Sequence, residues 1–352
     1  MKIFVNARFL SQPVTGVQRY AIECSRKIKK LHPDTTFITP KNIFNTEVAN
    51  ELNAKVIGTN TGHLWEQWDL PRFLKKHNSP PLFNPCNTAP VFYTNNYTTL
   101  HDLAFYHHPQ WNSKAFSLWY NAIIPRIVSG SRHLFTVSHT IQKEIAATYH
   151  VPESGISVTY NGIGDNMLRN GRQGSAPKEN IILAVGSFNI RKNHHNLIKA
   201  FLASSLKDTF RLVIIGDTSK VFAETGIDEA GLLAGNIEVL RNVGEEELIS
   251  VYRRASVVVS LSLYEGFGIP VLEGLFNGCK VVCSDIPVYR ELYNGHAFFS
   301  DPINLDRIKD AMYAAVAAPA PLPEAIDALL SGYNFDTSAA VVLQHMLQQS
   351  AK

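Results

Sequence analysis

Two carboxylates bracket a glycine-rich turn in Ser260-Leu-Ser-Leu-Tyr-Glu265-Gly266-Phe267-Gly268-Ile269-Pro270-Val271-Leu272-Glu273-Gly274, with seven residues between Glu265 and Glu273. The β-branched run at 257–259 reads as a buried strand, and the segment after the turn has helical character. At a strand–turn–helix junction the backbone N–H groups point outward and the helix dipole favours an anion. A carboxylate on each side can hold hydroxyl groups. An anion joined to a polyol describes a nucleotide sugar. Arg191 and Lys192, in the loop 187–193 between another strand and helix, supply the complement. A guanidinium fork and an ammonium point charge suit a diphosphate, although an adjacent Arg-Lys pair also fits a solvated loop.

Two further residues stand where chemistry is done. Residues 97–102 read as a strand ending on His101-Asp102. In open α/β sheets ligands bind beyond the carboxyl ends of strands, so His101 is placed for function; a capping or core histidine is the alternative. Gly16 closes the loop 11–16 at a helix start, where it either admits a phosphate or serves as a turn glycine. That loop is not a G-x-G-x-x-G fingerprint and does not call for NAD.

The elements that must position these residues alternate between strand and helix. Strands are expected at 2–6, 36–39, 56–58, 97–102, 133–138 and 156–160, and again at 181–186, 210–216, 237–240, 256–260 and 280–283. Helices are expected at 17–31, 67–77, 113–129, 140–149, 195–203, 245–252, 306–318, 323–331 and 337–349. Ser138 reads as a helix cap. The polar, glycine-rich stretch 166–178 reads as a linker. The organisation is therefore α/β with two sequential βαβ domains, 1–165 and 166–333, and a terminal helix in 334–352.

The 352 residues carry a formal net charge of +3, too small to argue for nucleic acid. The charge is unevenly spread: residues 1–165 hold 16 Lys/Arg against 10 Asp/Glu, and the remainder 17 against 20. The halves are expected to bind different partners. Cys24, Cys86, Cys279 and Cys283 complete no zinc pattern and read as free thiols of a reducing cytoplasm. No apolar run approaches the roughly 20 residues needed to cross a bilayer. The basic positions Lys29, Lys30, Lys75 and Lys76, with the aromatic stretches 63–68 and 107–111, read as contacts to a lipid-linked oligosaccharide at an anionic membrane, or equally as a solvated helix face over core tryptophans.

These motifs resemble those of the retaining GT-B glycosyltransferases of family 4. Glu265-x7-Glu273 resembles that family's E-x7-E signature, and Gly186-Ser-Phe-Asn-Ile-Arg191-Lys192-Asn193 its phosphate loop. Residues 284–291, the Asn161-Gly162-Ile163 boundary, Thr15-Gly16-Val-Gln-Arg-Tyr20 and Leu100-His101-Asp102 are similar to its other conserved segments. Cys279-Lys280 departs from the family's usual small residue and Pro or Thr. The resemblance implies two Rossmann-like domains facing a cleft, the first for the acceptor and the second for the donor, with the C-terminal helix crossing back to the first. It implies that Glu273 holds ribose hydroxyls, and that Glu265 with the amides of Gly266, Phe267 and Gly268 holds the donor sugar. Arg191 and Lys192 would neutralise the leaving diphosphate, Gly16 would admit the phosphates, His101 would meet the sugar, and the loop at Val243 would meet the base. The implied reaction moves a hexose, best taken as mannose from GDP-mannose, to a glycan or polyprenyl-linked oligosaccharide acceptor of a bacterial surface polysaccharide. Retention, no metal or cofactor, and a cytoplasmic enzyme in peripheral contact with the inner membrane are implied with it. A nucleotide-sugar 2-epimerase of the same fold and a non-catalytic nucleotide-sugar-binding protein are the alternatives.

Overall fold

The computed structural model describes residues 2–172, 177–216 and 236–348. The chain divides into two units, Met1–Asn161 with Asn334–Lys352, and Gly162–Tyr333. Among the described residues no helix is long and apolar enough to cross a membrane.

The first unit contains the strands β1 (Phe4–Asn6), β2 (Thr36–Thr39), β3 (Lys55–Val56), β4 (Leu82–Asn84), β5 (Asn96–Thr99), β6 (His133–Thr136) and β7 (Ile156–Val158) in the order β3-β2-β1-β4-β5-β6-β7. All these pairings are parallel. A parallel sheet is covered on both faces, which is why β1, β4, β5 and β6 are buried throughout. The chain winds from β1 to one edge and then returns to β4 on the other side of β1. Helix Gly16–Leu31 buries Tyr20, Cys24 and Ile28 and leaves Leu31 half exposed. Ser138 caps helix His139–Tyr149 by accepting from Ile141 N. The terminal helix Phe335–Gln348 packs on Gly16–Leu31; Lys27 Nζ meets Asp336 Oδ2 at 3.2 Å and Ser338 Oγ donates to Tyr160 O at 2.7 Å. Residue 349, expected as its last, lies outside the described residues.

One expectation fails in this half. The single helix predicted over 67–77 is instead the end of a π-helical turn, Trp65–Asp69, followed by helix Leu70–Lys75, and a further short helix, Gly62–Leu64, precedes them. Pro71 has no N–H to return to residue 67, and the wider turn ahead of it, closed by Leu70 N to Trp65 O, absorbs the loss. Trp65, read either as a membrane-side contact or as a core tryptophan, is the latter: it is fully buried with Phe4, Leu70 and Leu74, and its Nε1 donates to Ile57 O at 2.8 Å. Helix Thr46–Glu51 gave no sequence signal.

The second unit contains β8 (Glu179–Val185), β9 (Arg211–Ile215), β10 (Ile237–Leu240), β11 (Ala255–Ser260), β12 (Lys280–Ser284) and β13 (Phe298–Ser300) in the order β10-β9-β8-β11-β12-β13, again parallel. Val258 of β11 lies opposite Leu183 of β8 and Val281 of β12. Residues 166–170, expected to be linker, belong to the helix Asp165–Asn170; Met167 is buried and its Sδ accepts from Asn277 Nδ2 at 3.3 Å. Residues 173–176 of that expected linker lie outside the described residues.

Candidate functional site

In each unit the sheet reverses its winding at one place: between β1 and β4, and between β8 and β11. Such switch points open a crevice beyond the carboxyl ends of the strands. The loops leaving β8 and β11 carry the charged residues singled out above. After β8 the chain turns at Gly186 and enters the 3-10 turn Ile190–Lys192, where Asn189 Oδ1 accepts from Lys192 N at 3.1 Å. Asn193 follows with φ 56° and releases the chain into helix His194–Leu202. The Lys192 stem lies over Gly186: a Cβ there would stand 3.1 Å from Lys192 Cε. Leu263 N donates to Arg191 O at 2.8 Å, tying the loop after β11 to the loop after β8.

These ties bring Lys192 Nζ to 2.5 Å from Glu265 Oε1 and an Arg191 guanidinium nitrogen to 3.9 Å from Glu265 Oε2. Burial pushes the Glu265 carboxyl up, but Lys192 and then Arg191 outweigh burial and hold it at about 2. The carboxylate is therefore charged at neutral pH. Two cations against one carboxylate leave these three side chains at +1. The sequence assigned Arg191 and Lys192 to a diphosphate and Glu265 to a sugar. In the folded chain they also meet each other, because charges withdrawn from water must find a counter-charge.

Gly268 caps helix Ile269–Phe276 at φ 90°, and a Cβ there would stand 2.3 Å from Tyr289 Cε1, so both the backbone and the space require glycine. Tyr289 Oη and Ser260 Oγ are 2.8 Å apart. Tyr293 Oη donates to Phe267 O and Gly268 O at 3.3 and 3.2 Å, and the Phe267 ring packs edge-on against Tyr293 and Tyr333. This fixes the backbone of Gly266, Phe267 and Gly268 at the helix N-terminus. Glu273 is the fifth residue of that helix and is buried; its carbonyl accepts from Asn277 N and Nδ2. Val243, half-buried, follows β10 and precedes Gly244, the cap of helix Glu245–Arg254; in sheet order β9 separates its strand from β8.

Gly16 and His101 belong to the first unit. Gly16 begins helix Gly16–Leu31, with Thr15 N donating to Gln18 Oε1 at 3.2 Å. His101 lies two residues past β5 and is buried. Its Nε2 is 2.7 Å from Pro85 O, its N donates to Asn87 Oδ1 at 2.8 Å, and its ring stands edge-on to Tyr20 at 4.8 Å. Burial lowers its pKa, and the Pro85 carbonyl places the ring proton on Nε2.

Sequence reasoning missed His194, whose Nε2 meets Gly186 O at 3.1 Å; burial brings it down to about 4, so it is a neutral brace beneath the loop. Lys280, noted as a departure, has a structural use: Nζ donates to Val316 O and Ala318 O at 2.9 and 3.2 Å, at the end of helix Leu305–Ala317. His107 Nε2 meets Glu144 Oε1 at 2.6 Å and His108 stacks on Trp111. Among the described residues no group of three or more His, Cys, Asp or Glu could hold a metal ion.

Residues 169–327 match the family described as glycosyl transferases group 1, and residues 14–166 match glycosyltransferase family 4. The chain is 26% identical to the O-antigen chain mannosyltransferase RfbU of Salmonella typhimurium, covering 97% of this chain and 98% of that protein. It is 23% identical to the O-antigen chain mannosyltransferase B of Escherichia coli, over 88% of each. Among solved structures, Anabaena HepE in complex with UDP and glucose superposes with a TM-score of 0.69 at 15% identity, over 100% of this chain and 98% of that one. The two doubly wound units are thus those of the GT-B class that the motifs implied.

Proposed function

We propose that this chain, which belongs to the family 4 (group 1) glycosyltransferases, moves mannose from GDP-mannose to a glycan or polyprenyl-linked oligosaccharide during assembly of a surface polysaccharide. The near full-length relatives named as O-antigen mannosyltransferases support the sugar and the pathway class. The observation that carries the donor reading is the 2.5 Å contact of Lys192 with Glu265 at the switch point of the second unit.

The chemistry follows from that contact. A diphosphate brings at least two negative charges to three side chains whose sum is +1. It draws Lys192 and Arg191 toward itself, and Glu265 is released to accept hydrogen bonds from sugar hydroxyls. As the sugar–phosphate bond breaks, charge grows on the diphosphate, where fixed cations and helix N–H groups stabilise it more than they stabilise the ground state. The amides of Gly266, Phe267 and Gly268 hold the sugar beside Glu265, Glu273 holds the ribose hydroxyls, and Val243 meets the base. In the first unit, Gly16 admits the phosphates and His101 meets the sugar. The acceptor hydroxyl attacks the face that the leaving group vacates, and its proton passes to the departing phosphate, which retains configuration. The countercharge comes from protein side chains, so the reaction needs no metal. The enzyme works on the cytoplasmic side, with the acceptor reaching it from the membrane surface.

The test is turnover of GDP-mannose and of UDP-glucose, with and without EDTA, against extracted lipid-linked oligosaccharide, with the product's anomeric configuration read by NMR. An α-mannoside formed equally well in EDTA is expected. Loss of turnover in EDTA restored by Mg2+ overturns metal independence. An epimeric nucleotide sugar formed without acceptor overturns the transfer itself.

A further inference from the structure

The switch point of the first unit also holds a buried ion pair. Arg8 lies two residues past β1 and Thr88 four past β4. Arg8 is 6% exposed and Glu66 1%. Arg8 Nε donates to Glu66 Oε1 at 3.1 Å, Asn6 Nδ2 donates to the same oxygen at 2.9 Å, and Arg8 reaches Thr88 Oγ1 at 2.9 Å. Glu66 is carried on the π-helical turn Trp65–Asp69, a form that concentrates at functional sites. Burial pushes its carboxyl up, but Arg8, then His63, hold it at about 2. A buried pair of this kind is poor value for stability, since an apolar pair of the same volume would serve as well or better.

What the pair does show is an oriented imidazole. Glu66 Oε2 faces His63 Nδ1 at 3.4 Å, and the His63 side chain is 37% exposed. In the neutral ring a proton facing the carboxylate sits on Nδ1, which leaves Nε2 as an acceptor. Trp119 and Tyr120 flank the imidazole at 5.6 and 6.4 Å between centroids, and Trp119 is 39% exposed. An indole face packs against the apolar C–H face of a sugar ring, while a fixed ring nitrogen reads a hydroxyl. The charge decides the ligand class. Arg8 and Glu66 cancel, so this pair draws no anion, whereas Lys192, Arg191 and Glu265 sum to +1.

We infer that His63 and Trp119 form a neutral-saccharide subsite of the first unit that binds the acceptor's sugar, with Glu66, paired to Arg8, as its positioning residue. This rests on the transferase reading only for the name "acceptor"; the subsite itself is tested by a free sugar. Saturation-transfer NMR with methyl α-mannopyranoside is run on the full chain, with GDP-induced thermal protection measured on the same samples. Wild type is expected to show transfer to the sugar C–H protons. His63→Ala and Trp119→Ala are each expected to lose it at least five-fold with GDP protection unchanged. For Glu66, Glu66→Gln strands Arg8, so the double change Arg8→Met with Glu66→Gln keeps the buried site neutral and folded. Its readout is the His63 tautomer in a long-range 1H–15N spectrum, assigned with His63→Ala. The Nδ1–H form is expected to dominate in wild type and to lose that preference in the double variant. Undiminished saturation transfer in both single variants overturns the subsite, as does no transfer in a wild type that GDP still protects. An unchanged tautomer overturns the role of Glu66. Sugar contact without GDP protection supports the subsite and defeats the donor reading instead.

Discussion

Lys192→Met separates the two uses of the Lys192 side chain, because the thioether stem still covers Gly186 while the charge is lost. In the wild type Glu265 titrates at about 2 rather than 4.5, chiefly because Lys192 opposes the effect of burial. A gap of that size, at ~1.4 kcal/mol per tenfold change in proton affinity, is about 3 kcal/mol of stability at neutral pH. The sign is fixed by the direction. A carboxyl held below its ordinary value stabilises the fold above pH 4.5, and that stabilisation is lost as pH falls toward 2. Lys192→Met removes most of it, since Arg191 stands farther away at 3.9 Å. The second unit is therefore expected to lose about 3 kcal/mol at pH 7, or roughly 1 M in urea midpoint for a unit of this size. The deficit should shrink as pH falls below 4.5, where the variant's carboxyl is protonated. Titration of GDP into the same variant should show weakened binding, by about 10- to 100-fold if one charge-assisted contact is lost at ~1.5–3 kcal/mol. Equal urea midpoints at pH 7, or unchanged GDP affinity, would refute the two-partner role of Lys192.

Two further outcomes follow from the geometry. Gly268→Ala places a methyl 2.3 Å from Tyr289 Cε1 at a φ of 90°, so a loss of at least ~2 kcal/mol is expected in chemical denaturation, together with loss of nucleotide-sugar turnover. His133 and His345 stack at 3.7 Å with Ser157 Oγ between their Nε2 atoms, and burial and then His345 bring His133 down to about 4. A histidine held below its ordinary 6.5 favours the fold while neutral, so the first unit should weaken as pH falls from 6.5 toward 4; His133→Gln should flatten that slope in urea titrations, and an unaltered slope would exclude the pair as its source.

Legibility in the sequence followed the range of the interactions. Strand positions came from apolar runs, and the switch-point loops could be found because each follows such a run directly. Arg191, Lys192, Glu265 and Gly268 were therefore all locatable from the sequence. Their mutual contact was not. It depends on Leu263 N reaching Arg191 O across 72 residues of chain, and on β8 and β11 being neighbours despite β9 and β10 between them in sequence. The placement of Trp65 and Glu66 was left open by the sequence for a related reason. Helical spacing assigns faces at 100° per residue, and the π turn ahead of Pro71 shifts that phase, sending Trp65 into the core and Glu66 toward Arg8. A lone Arg at position 8, just past a strand, was the available clue, because an arginine buried at a strand's carboxyl end must bring a carboxylate with it. Applied to both halves of this chain, that rule places one cation–carboxylate pair at each switch point. The residual charge of these side chains then separates them: +1 at the proposed diphosphate site, and zero at the proposed saccharide subsite.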